Sequence, residues 1–161
     1  MSWKASHWTA SCTGSNHARS SETANSAPAT DREETLVVPA IAIVIAHAVV
    51  LVVHDVAHRD LVVLLNAWQQ AFVYSVIVPG PFIALLLLRR YRREAYALLL
   101  VAMLGSLLFG LYHHYVAVSP DHVDHLPAGD SQGLFRVTAL LMILVESAGV
   151  VVAALGLRST R

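Results

Sequence analysis

Thiol chemistry is nearly missing from this chain, whose single cysteine, Cys12, stands in an N-terminal polar tail. That excludes an intrachain disulfide and any cluster of thiolate ligands, so a metal site here must be built from nitrogen and oxygen. Charge is scarce as well, at 14% of residues, and balances to zero with histidine neutral. A basic patch or stripe of the kind that grips nucleic acid has no support. An early apolar run of the signal-peptide type is also lacking. Residues 1–34 are mainly Ser, Thr, Ala and Asn with scattered charges, which predicts a disordered polar tail followed by an uncleaved first span.

Apolar residues, by contrast, make up 56% of the chain and raise its mean hydropathy to +0.58, too greasy for an ordinary soluble domain. They gather in long runs rather than in strand-like or amphipathic alternation, the mark of segments whose solvent is lipid. Crossing the hydrocarbon takes about 20 helical residues. Four stretches qualify, near 35–57, 63–88, 95–118 and 134–157. Short links between long spans predict an all-α integral membrane domain over 35–161, a four-helix bundle running up-down-up-down. Within the second span, the VPGP run at 78–81 removes backbone donors and predicts a kink.

Arginine sets the expected orientation. Arg89, Arg90, Arg92 and Arg93 lie between the second and third spans, and Arg158 and Arg161 close the chain. The positive-inside rule places both regions, and with them both termini, on the cytoplasmic side of a cell membrane. The 58–61 turn and the 119–133 loop then face outward.

Nine histidines are the anomaly that the membrane does not explain. His47, His54 and His58 recur on the first span at steps of seven and four, so at about 100° per residue they share one stripe. Lipid penalises such a stripe unless it faces the bundle interior. His113 and His114 end the third span as neighbours that cannot share a face. A seven-residue step from Ser106 favours His113 as the inward one. Asp121, His122, Asp124 and His125 follow in the outer loop, and Glu146 sits near mid-membrane on the fourth span, at the depth of His47. A carboxyl there needs a partner, and His47 is the one proposed. Arg136 is expected to pair with an outer aspartate or to reach the interface, while Asn66, Gln69 and Gln70 add amides at the outer end of the second span.

Imidazole with carboxylate suits Zn, Cu, Fe or Ni. The leading expectation is an extracytoplasmic site that binds a transition metal, with transport as its extension, drawn from His54, His58, His113, His114, His122, His125, Asp121 and Asp124. His47 and Glu146 would be a deeper relay. Three other readings stay open. One is a single b-type haem held by His54 and by His113 or His114. The second is a metal-dependent membrane enzyme. The runs HDVAH (54–58) and DHVDH (121–125) superficially resemble the histidine boxes of membrane desaturases and hydroxylases, which implies a di-iron oxygenase as one form of it. That likeness covers only those residues and assigns no family. The third is a small structural or accessory subunit of a membrane complex. Expected partners are the lipid bilayer and either further copies of the chain or the subunits of such a complex.

Overall fold

The computed structural model describes residues 29–160. They form four helices long and apolar enough to cross a membrane: α1 (Ala29–Asp60, apolar from Thr35), α2 (Ala67–Leu87), α3 (Arg92–Val116) and α4 (Gln132–Ser159). No strand occurs among the described residues. Between 17% and 33% of each span's most apolar window is buried inside the protein. The rest faces outward as large aliphatic side chains such as Val38, Val52, Leu86 and Val151, a surface suited to lipid and not to water. Trp68 and Tyr112 at one end, and Tyr91 at the other, are exposed where the interfacial aromatic belts belong. This is a membrane protein.

The span boundaries differ slightly from those expected. Helix α1 continues back to Ala29, because a helix already formed in the membrane propagates outward at little cost. Residues 1–28, Cys12 among them, and Arg161 lie outside the described residues. Helix α2 begins at Ala67 rather than 63, because Asn66 caps it. The Asn66 side chain accepts from the Gln69 backbone N–H at 3.0 Å, and the Gln69 side chain accepts from the Asn66 N–H at 2.8 Å.

Helix α4 packs against both α1 and α3, and α3 packs against α2. The ring closes unevenly, since α2 meets α1 mainly along its inner stretch Pro79–Leu87. The cause is local. Pro79 and Pro81 supply no N–H to the carbonyls of Ser75 and Ile77, and the preceding turn, Val73–Ile77, relaxes to a π helix with Val78 N–H bonded to Val73 O at 2.9 Å. The outer half of α2 therefore stands away from α1.

Two apolar clusters bracket the polar side chains. Ala40, Val44, Tyr96, Leu99, Met103 and Ala153 fill the inner half, while Ala57, Leu61, Val63, Phe135 and Ala139 plug the outer end. Close approach in the inner half depends on glycine. A Cβ on Gly156 would overlap the Tyr96 ring, and one on Gly80 would lie 2.9 Å from Ala102 Cβ, which has no rotamer by which to retreat. Gly80→Ala should therefore destabilise the bundle by about 1–3 kcal/mol through overpacking. Adding Ala102→Gly should recover much of the loss in unfolding measured in detergent. A Gly80→Ala protein as stable as the parent would show that α2 and α3 are not so tightly apposed.

Candidate metal centre

The histidine stripe of α1 faces the bundle interior. His47 and His54 are buried and His58 nearly so, joined by buried His114 from the end of α3 and buried Asp121 from the outer loop. One ligand nitrogen from each of His54, His58 and His114 lies within 4.8 Å of the other two. All three rings rest on fully buried Phe135 of α4, with centroid separations of 4.7, 4.8 and 5.3 Å, so packing restricts their rotation.

Each ring has an oxygen at Nδ1. His54 Nδ1 is 2.8 Å from Thr138 Oγ1, and that hydroxyl donates back to Leu134 O, which leaves it accepting from the imidazole N–H. His58 Nδ1 donates to Val63 O at 3.0 Å. The carbonyl is aimed there by a Schellman-type end to α1, in which Val63 N–H reaches His58 O and Val62 N–H reaches Arg59 O. Val62 takes φ 56°, a left-handed conformation that a β-branched side chain adopts only under strain. His114 Nδ1 donates to Asp121 O at 3.0 Å.

With Nδ1–H committed three times, the tautomers leave three Nε2 lone pairs. His54 Nε2 and His114 Nε2 stand 3.2 Å apart, and His58 Nε2 is 3.3 Å from Asp121 Oδ1. Each contact opposes two electron-rich atoms and calls for a proton or a cation between them. Imidazole nitrogens about 2.0–2.1 Å from one tetrahedral ion would be separated by about 3.3 Å, close to the spacing between His54 and His114. Asp121 Oδ1 also lies 3.2 Å from His114 Nδ1, yet neither carboxylate oxygen has a hydrogen bond of good alignment. Burial alone would raise its proton affinity, but the facing His114, with His58 and His54, holds the Asp121 carboxyl below its ordinary range. A buried carboxylate beside three imidazoles suits a cation in their midst.

The remaining candidates fall elsewhere. His113 turns away from the trio, and its Nδ1 meets the Gln69 side-chain amide at 3.2 Å among Trp68, Phe109 and Tyr112. The preference for His113 over His114 is thus corrected. The end of α3, Tyr112–Val116, is a π turn closed by Ala117 N–H to Tyr112 O at 2.7 Å, and His114, the eighth residue after Ser106, is the one of the pair that reaches the trio. Of the two third-span partners considered for a haem on His54, His113 does not converge with it and His114 does. His122 and His125 stack on each other at 4.9 Å in the outer loop, Asp124 is exposed, and all three lie outside the trio's group. Arg136 bonds Val123 O at 2.9 Å instead of an aspartate, and Asp55 pairs with Arg59 on the surface at 2.6 Å. Spacing among the titratable residues passed over Thr138 and Phe135, which hold the rings in place. A signal for them did exist on α4. Phe135 precedes Glu146 by eleven residues, about three full turns, and so shares its inward face, with Thr138 one turn along from Phe135.

Deeper on the same face, His47 Nδ1 lies 3.6 Å from Glu146 Oε1, with both side chains only 1% exposed. Ser106 Oγ donates to Glu146 Oε1. Among the described residues, neither His47 nitrogen nor Glu146 Oε2 has a well-aligned hydrogen bond, although the Ile77 carbonyl faces His47. A cavity of about 500 Å³ joins this group to the trio above it. The depth match read from the sequence is a real proximity, and it should be energetic as well. A double-mutant cycle of His47→Ala and Glu146→Ala should give a coupling well above about 0.5 kcal/mol in unfolding free energy, whereas strict additivity would mean the two groups do not interact. No protein-family model matches this chain, and no curated protein or solved structure matches it either, so the site must be interpreted from its own geometry.

Proposed function

We propose that this protein binds a transition metal in the outer half of the membrane through His54, His58 and His114, with Asp121 beside them. The observation that carries the reading is the convergence of imidazole nitrogens whose opposite nitrogens are each engaged by an oxygen. That is how proteins fix the tautomer and angle of metal-binding histidines. Three imidazoles and a carboxylate suit Zn, Cu, Fe or Ni. Binding is better supported than transport, because fully buried Tyr96, Leu99 and Met103 fill the inner half of the bundle. Three protein ligands beside a cavity also suit a centre that activates water, so a metal-dependent enzyme is the second reading.

Protein purified without chelators should carry stoichiometric metal by elemental analysis. His54→Ala with His58→Ala, or His114→Ala alone, should abolish it, while His113→Ala and His122→Ala with His125→Ala should retain it. Thr138→Val should weaken affinity by about 10–100-fold by releasing the His54 ring. Metal-free native protein would favour the structural-subunit reading.

The orientation proposed is both termini cytoplasmic in the cell membrane, because Arg89, Arg90, Arg92 and Arg93 surround the α2–α3 link. In a Cys12→Ser background, cysteine at Ser131 should react with an impermeant thiol reagent in intact cells and cysteine at Ser159 should not. The reverse pattern would move the metal site to the cytoplasmic side.

A further inference from the structure

The cavity has a mouth as well as a metal-facing wall. It occupies the gap between α1 and the outer half of α2, and its rim residues Val52, Tyr74 and Phe82 are 64%, 61% and 45% exposed. All three lie within apolar spans, so the mouth opens sideways into lipid. Its size, about 500 Å³, is that of a small-molecule site. Most of the wall is apolar, contributed by Leu51, Val73, Ile77 and Met142 among others. The exceptions at mid-depth are His47, Ser106 and Glu146.

We propose that this cavity binds a neutral, membrane-dissolved amphiphile that enters between α1 and α2 and seats one hydroxyl group on His47 and Glu146. The polar atoms select the group. Glu146 Oε2 can accept, while the two His47 nitrogens offer one donor and one acceptor, and among the described residues none of the three has a well-aligned hydrogen bond, the Ile77 carbonyl being the backbone group that faces His47. A hydroxyl both donates and accepts, so it serves a carboxylate or imidazole acceptor and an imidazole donor together. A hydrocarbon serves neither, and a water could bond these atoms but would leave the long apolar wall of the cavity unfilled, which an alkyl chain carrying the hydroxyl covers. A charged head group is disfavoured because Arg59 and Asp55 at the outer rim already neutralise each other. The hydroxyl seat is built from residues other than the metal trio, which forms the outer wall of the same cavity, and it does not require a bound metal.

The test uses the full chain in phosphatidylcholine nanodiscs, with tritiated hexadecanol as the probe and hexadecane as competitor. The alcohol should bind saturably, and the alkane should compete about ten-fold more weakly, the value of leaving buried polar atoms unsatisfied. His47→Leu should erase that discrimination. Ala48→Phe, which places a large apolar side chain in the cavity and replaces none of its polar residues, should remove alcohol binding altogether while leaving metal content as in the parent. Equal binding of alcohol and alkane, or alcohol binding that survives Ala48→Phe, would overturn the proposal, as would the lack of saturable binding to the native protein. Metal analysis of the same samples separates the two readings: alcohol binding with no metal would overturn the metal assignment alone, and metal without alcohol binding this one alone.

Discussion

Hydrocarbon does not solvate an imidazole or a carboxylate, and that constraint organises the bundle. Placing His47, His54 and His58 on one stripe of α1 leaves that helix a single acceptable rotation, with the stripe turned inward toward α3 and α4. Helix α4 answers with Glu146 at the lower level and Thr138 at the upper, and α3 with Ser106 and His114. Once these polar groups face one another, the aliphatic residues on the opposite faces are committed to lipid. Burial of the polar layer and exposure of the apolar surface are thus one event.

Rigidity at the trio comes from three different supports. Phe135 restricts the rings by packing, Thr138 holds His54, and the strained Val62 turn delivers the Val63 carbonyl to His58. The Val62 conformation has a cost of about 1–3 kcal/mol, which the surrounding contacts of Leu61 and Val63 in the outer apolar plug must offset. Strain held beside converging imidazoles fits a site whose geometry matters more than the stability of its loop.

Helix α2 plays the opposite part. Its prolines loosen one turn and let the outer half stand off from α1, so the bundle is closed on the inner side and open toward lipid on the outer. The same break leaves the Ile77 carbonyl without its helical donor, next to His47 at the cavity wall. A tightly closed four-helix ring would have covered the trio and the deeper pair. The proline pair is why both groups share one accessible space.

The membrane class, the number of spans and the inward histidine stripe were legible in the sequence, because hydrophobic run length and a seven-and-four spacing depend only on the rise and pitch of a helix. The pairing of His47 with Glu146 was legible for a related reason, since two isolated polar residues at one depth have few alternatives in lipid. The choice of His114 over His113 was not. It shows in what each ring meets, His114 the Asp121 carbonyl and His54, His113 the Gln69 amide, which no periodicity reports. Nor did the spacing show that His122 and His125 would remain in the outer loop while Asp121, one residue earlier, turns inward, because that is decided by how the loop bonds to Ser119, His114 and Arg136. Residue types and depths are properties of the chain, but the direction of each ring and the space between α1 and α2 exist only after the helices have packed.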